Sequence, residues 1–199
     1  NNIPEIISIN MTDDAEQQGI QILPILNGEK TVFIDVLVNE SDGFQDIEQV
    51  SLSVFNQTKN LSFKENLTTT LAKYQGNFTI KSTVQAGQYS LEAFVRDTEN
   101  KTTKNISFSY EGIVSTELNI SSFEMALHSG DAALRSVQIL NQGNIAIDTE
   151  VSAQELISAQ GKISNNAIEV FQDVWLPLAN PVFLDLNIAP QTTGEIQFR

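Results

Sequence analysis

The 199-residue chain has no cysteine, one histidine and one tryptophan. Without cysteine there is no disulfide framework, and thiolate metal sites are excluded. The lone His128 stands in a turn beside Ser129 and Asp131, with no nucleophile elbow elsewhere in the chain. A neighbourhood in sequence does not make a charge-relay set, so no catalytic residue is expected. No glycine-rich phosphate loop and no metal-ligand spacing occurs, and no cofactor is expected. Basic residues are scarce, 11 against 25 acidic ones, for a net charge of −14. No basic patch exists to displace counterions, which excludes nucleic acid and anionic membrane surfaces as partners. No apolar run reaches spanning length, so this chain is not expected to insert directly in a membrane. The chain opens on Asn1-Asn2-Ile3-Pro4, with no export signal in view. The expectation is that such a signal was removed before this point and that any anchor lies outside this chain.

What is abundant is the acceptor pattern for N-linked sugar. Nine Asn-x-Ser/Thr sequons, none with proline at x, begin at Asn10, Asn39, Asn56, Asn60, Asn66, Asn77, Asn100, Asn105 and Asn119. The first 121 residues contain twelve asparagines. Chance pairing with serine or threonine would make about two of them sequons. None follows Asn119. The density points to an extracellular, surface-exposed chain bearing many glycans. Sugar on this scale without cysteine points to an archaeal cell surface rather than a small secreted animal domain.

Alternation of apolar and polar residues dominates, and helical periodicity is scarce. Val32, Ile34, Val36 and Val38 form one inward row, and Val50, Leu52 and Val54 another. Phe78 with Ile80, then Tyr89, Leu91, Ala93 and Val95, then Ile106, Phe108 and Tyr110 continue the pattern. Each row is one face of a half-buried strand. On this parity Asn10, Asn39, Asn60, Asn77, Asn105 and Asn119 face outward, and Asn56, Asn66 and Asn100 fall at strand ends or turns. The pattern restarts at Glu111-Gly112. Strands are expected at 114–120, 134–140, 145–152, 168–176, 182–188 and 194–198, with a helical turn near 154–160 and a tight turn at Asn141-Gln142-Gly143-Asn144. The expected fold is all-β: two consecutive antiparallel β-sandwich domains, residues 1–112 and 113–199. Val36, Leu52, Ile80, Leu91 and Phe108 are expected in the first core. Val137 with Ile139, and Leu184 with Leu186, are expected in the second.

The stretches KTVFIDVLVNESDGFQDIEQVSLSV (30–54) and YQGNFTIKSTVQAGQYSLEAFVRD (74–97) resemble immunoglobulin-like and fibronectin-like modules of prokaryotic surface proteins. The second half is similar to modules of archaeal envelope proteins, through HSGDAALRSVQILNQGN (128–144) and the closing Pro190–Phe198 segment. The resemblance implies immunoglobulin-like sandwiches that serve in S-layers, pili, filaments or adhesins, and fold alone does not choose among them.

Three further features are candidates. Asn39-Glu40-Ser41-Asp42-Gly43 with Asp46 gathers hard oxygen donors and invites calcium, but it misses the EF-hand register. It reads as a solvated Asp-Gly turn, and no metal site is expected. Trp175 reads as core or domain packing. Ile3, Ile6, Ile7 and Ile9 form an apolar, β-prone opening stretch, followed by a second at residues 20–26. Both read as edge strands, or the first as a donor that completes a neighbour's sheet. The favoured reading is a non-enzymatic surface protein whose partners are itself, as a homopolymer, and its N-linked glycans. It would be a filament subunit assembling by strand addition and domain contacts. An S-layer or envelope fragment is one alternative. An adhesin or carbohydrate-binding module is the other, and an exposed aromatic row would favour it. The sequence shows only scattered outward aromatics, such as Phe33, Phe55 and Phe94.

Overall fold

The computed structural model describes residues 2–122, 132–158 and 161–199. Its contacts divide the chain into two compact units, Asn1–Gly112 and Ile113–Arg199. Both are built from strands, and the described residues contain no α-helix, only 3-10 turns at Phe44–Asp46 and Asn165–Ala167.

The first unit contains β1 (Glu5–Met11), β2 (Gln21–Ile22), β3 (Glu29–Asn39), β4 (Gln49–Val54), β5 (Gln57–Asn60), β6 (Ser62–Asn66), β7 (Leu71–Lys81), β8 (Gly87–Arg96) and β9 (Lys101–Tyr110). They form two sheets, in the orders β1-β3-β7-β6 and β2-β9-β8-β4-β5. Every pairing is antiparallel except β2 with β9, which is parallel. The sheets enclose one core that includes Val32, Ile34, Val36, Val38, Leu52, Ile80, Leu91, Ala93, Val95 and Phe108. All five residues expected in the first core are there. The two opening apolar stretches become edge strands, β1 in one sheet and β2 in the other. β5 and β6 carry no alternation, because all their residues are exposed, and the sequence pattern therefore passes them over.

The β4–β5 hairpin turns on Phe55 and Asn56, with Val54 opposite Gln57. Both turn residues have positive φ, 49° and 59°, as the twist of a two-residue hairpin requires. This conformation turns Phe55 inward. Its ring meets Tyr89 at 4.8 Å, Phe108 at 6.1 Å and Phe78 at 6.3 Å. The expectation of an outward Phe55 is therefore corrected, whereas Phe94 keeps the outward parity of β8, opposite buried Leu91, Ala93 and Val95, and is half-buried. Phe33 is exposed.

The second unit contains β10 (Thr116–Leu118), β11 (Arg135–Asn141), β12 (Ile147–Val151), β13 (Leu156–Ser158), β14 (Gly161–Ile163), β15 (Glu169–Gln172), β16 (Val174–Pro177), β17 (Val182–Ile188) and β18 (Thr193–Phe198). One sheet has the order β10-β11-β18-β15-β16, β12 pairs with β17, and β13 pairs with β14. The core gathers Ile139, Val170, Leu178, Leu184, Ile188 and Ile196, with Leu186 packed against it. Val137 is only half-buried and lines a surface cleft with Leu118, Ile139 and Phe198.

Three local expectations change. The helical turn near 154–160 is instead strand β13, whose partner is β14. The single strand over 168–176 is two, because the chain reverses at Asp173, whose φ is 59°, and Phe171 then lies opposite Trp175. The Asn141–Asn144 turn does not join a hairpin. It carries the chain from β11 in one sheet to β12 in another. Asn141 and Asn144 are buried. The Asn141 amide donates to the carbonyls of Ile145 (2.8 Å) and Ile188 (2.9 Å), and its oxygen accepts from Gly143 N (2.9 Å). Asn144 Oδ1 accepts from Ile113 N at 2.7 Å. Gly143 is packed so closely that a Cβ there would lie 2.2 Å from the Ile113 carbonyl oxygen.

Candidate functional site

All nine sequon asparagines lie among the described residues, and none is buried. Asn10, Asn56, Asn60, Asn66, Asn77, Asn105 and Asn119 are exposed, and Asn39 and Asn100 are half-buried. Strand geometry explains the placement. On β3 the inward set is Val32, Ile34, Val36 and Val38, so Asn39 falls on the other face. On β7, Phe78 and Ile80 point in and Asn77 out. On β9, Phe108 and Tyr110 point in and Asn105 out. Asn56 occupies the β4–β5 turn, Asn100 the β8–β9 turn, and Asn60 and Asn66 end β5 and β6. Asn119 follows β10, and its side-chain oxygen accepts from Gln138 N at 2.9 Å. Sites occur on strands of both sheets of the first unit. The Asn100 amide donates to the Asn2 carbonyl at 3.4 Å.

The four isoleucines of the opening stretch do not form one face. β1 pairs antiparallel with β3 of its own chain, with a register shift between Ile6 and Ser8. The shift puts Ile6 and Ile9 inside, at 5% and 8% exposure, and leaves Ile3 and Ile7 outside, at 66% and 40%. The two buried side chains together stabilise the unit by roughly 3–6 kcal/mol. Lys104 Nζ reaches across from β9 and donates to the carbonyls of Ile6 (3.1 Å) and Ile7 (2.8 Å). That ammonium occupies part of the outer edge of β1.

An aromatic group that the sequence did not reveal lies where the chain passes from β5 to β6. Phe44 and Phe63 stack at 5.6 Å, and Phe63 meets Tyr74 edge-on at 5.8 Å. They line an open cleft of about 430 Å³ with Leu61, Gln49, Glu48 and Asn60. Burial pushes the Tyr74 phenol above its ordinary value. The signal was hidden because Phe63 belongs to β6, a strand without alternation.

Trp175 is not part of the second unit's core. It is half-buried, with the Arg199 guanidinium 4.6 Å above its ring and Phe171 at 5.3 Å. Such a cation–π contact contributes about 0.5–1 kcal/mol at an exposed site. His128, Ser129 and Asp131 lie outside the described residues.

The acidic loop after β3 is not simply a solvated turn. Asp42 and Ser41 are exposed, but Glu40 is fully buried. Among the described residues no group of three or more His, Cys, Asp or Glu side chains is placed to hold a metal ion. No helix among them is long and apolar enough to cross a membrane. No family model matches the chain, and no curated protein matches it significantly.

Proposed function

We propose that the chain is an extracellular structural glycoprotein, a heavily N-glycosylated subunit of an archaeal surface filament. One observation carries this reading: nine sequons, far more than chance supplies, all fall on asparagines outside both cores. Sugars at these positions would coat both faces of the first sandwich and leave the chain beyond Asn119 bare. Assembly would proceed by strand addition and domain contacts, with β1 the candidate contributor through exposed Ile3 and Ile7. A continuous surface lattice uses the same ingredients with a different geometry.

Glycopeptide mass spectrometry on protein from its native source tests the coat. The expected result is sugar on most of the nine sites, and unmodified peptides at a majority of them would overturn the reading. Negative-stain microscopy of the same material then separates filament, lattice and monomer.

A second reading, a carbohydrate-binding module, has the Phe44–Phe63–Tyr74 cleft in its favour. Aromatic faces stack on pyranose rings, and Gln49, Glu48 and Asn60 supply hydrogen-bonding groups at the rim. A glycan on Asn60 would stand at that cleft, which weighs toward the structural role.

A further inference from the structure

The sequon Asn60-Leu61-Ser62 spans the point where the chain leaves one sheet of the first unit for the other. Asn60 ends β5 and Ser62 begins β6. Leu61 between them is held twice. Its N–H donates to the Val50 carbonyl at 2.8 Å. Its side chain lies so close to Gly76 that a Cβ there would come within 2.3 Å of Leu61 Cδ2. Leu61 is 9% exposed, whereas Asn60 and Ser62 on either side are exposed. The middle residue of this sequon is thus a buried peg, and it gives the acceptor beside it a defined place.

That place is the lining of the Phe44–Phe63–Tyr74 cleft. Asn60 is the one sequon asparagine among the residues that line it. Gln49, which also lines it, donates from Nε2 to Asn60 Oδ1 at 2.8 Å. This bond holds the amide by its oxygen and leaves Nδ2 to carry sugar. Attachment from an activated oligosaccharyl phosphate forms an Nδ2–C1 bond and breaks the C1–O bond. The phosphate leaves with the electron pair, and the amide gives up one of its two protons. The amide oxygen takes no part, so Gln49 keeps its hold. The cleft itself is unfilled by the chain. Phe63 remains 50% exposed, although Phe44 stacks on it at 5.6 Å and Tyr74 meets it edge-on at 5.8 Å. The volume, about 430 Å³, falls within the range of small-ligand sites, about 300–1,000 Å³.

We infer that the first sugar of an Asn60 glycan folds back into this cleft and covers the Phe63 ring. The occupant is a pyranose. It lays C–H bonds against the electron-rich faces of the aromatic rings, and its hydroxyls find acceptors in Glu48 and in the Gln49 side-chain oxygen. An open cleft suffices because the sugar is tethered. A short tether supplies a millimolar effective concentration, so a contact too weak to capture a free sugar still stays made. The inference rests on the reading that the sequons carry sugar. It adds that this one sugar belongs to the folded edge of the sandwich, where β5 and β6 are exposed along their whole length.

Removing single sequons without touching their asparagines tests it, in protein made in its native source. Ser62→Ala abolishes the acceptor pattern but keeps Asn60 and its bond to Gln49. Ser107→Ala does the same for Asn105 on β9, which does not line the cleft. Both serines are exposed. Glycopeptide mass spectrometry first establishes which sites are occupied. Ser62→Ala should then lower the thermal midpoint of the first unit by about 2–6 °C, and Ser107→Ala by less than about 1 °C. In a Phe63→Ala background the Ser62→Ala loss should disappear, because sugar and ring act as a pair. An occupied Asn60 with equal Ser62→Ala losses in both backgrounds would overturn the inference. So would a bare Asn60 among mostly occupied sites, and that result leaves the sugar coat standing. Bare peptides at most of the nine sites would remove both. Should Phe63→Ala not fold, proton Overhauser contacts in the unaltered glycoprotein decide. Contacts between the first Asn60 sugar and the Phe63 ring are expected, and their absence refutes the docking.

Discussion

At Phe55 the backbone adopts a left-handed conformation that costs an ordinary residue about 1–2 kcal/mol. The ring recovers this by packing among Phe78, Tyr89 and Phe108. Phe55→Ala loses the packing and keeps the strain, so it should destabilise the unit by about 3 kcal/mol. Phe55→Gly loses the same packing but relieves the strain, and should cost about 1 kcal/mol less. Denaturant unfolding of the two variants measures the difference, and glycine more damaging than alanine would refute the strain. Asp97 gives a second prediction. Burial alone would raise its pKa, but the N–H groups of Asn100 and Glu99 outweigh burial and hold it below the ordinary 3.8. A lowered folded pKa means that the ionised group stabilises the fold. That contribution is complete above pH 3.8 and drains away as pH falls through the lower folded value. Asp97→Asn should flatten this acid limb of the stability profile, and an unchanged limb would assign it to other carboxylates. Neither residue's role was legible beforehand. Alternation placed Phe55 outward because a positive φ breaks the parity rule. Asp97 looked like any strand-ending aspartate until its burial was known.

Alternation served well wherever a strand has one wet face. β3, β7, β8 and β9 could be read directly from residues such as Val36, Ile80, Leu91 and Phe108, and their outward asparagines with them. It failed where strands are wet on both faces, as in β5 and β6, and at Asp173, where neither glycine nor proline marks the reversal. It also misread Asn141–Asn144, because a turn within a sheet and a crossing between sheets share the same residue types. The difference lies in burial of the side chains. That crossing yields a prediction for the second unit. Gly143→Ala would force a Cβ to within 2.2 Å of the Ile113 oxygen, and backbone must move to relieve it. A loss of about 3 kcal/mol or more is expected. Asn141→Ala strands the Ile145 and Ile188 carbonyls and the Gly143 N–H, for a loss of about 2–4 kcal/mol. Thermal unfolding measures both. Near-native midpoints would mean that the crossing is held in some other way.

For the molecule as a whole, the decisive question is whether β1 serves its own unit or a neighbour. Its pairing with β3 buries Ile6 and Ile9 at home. Deleting residues 1–11 separates the cases. A strand that serves only its own unit predicts loss of monomer stability with any polymerisation failing in step. A donor predicts soluble, folded protein that no longer polymerises until a synthetic peptide of residues 1–11 is added. Polymerisation unimpaired by the deletion would eliminate β1 as a donor. The parallel pairing of β2 with β9 has a separate consequence, one of timing. It ties Gln21 to Ser109 and Ile22 to Tyr110, so the first sandwich cannot close until almost its entire length has emerged. Under the proposed role, a chain delivered start-first across a membrane would wait, open, while eight of its nine sequon asparagines pass. That interval would let a transferase reach Asn39 and Asn100 before folding crowds them. Sugar installed then would discourage half-formed sheets from pairing with their neighbours.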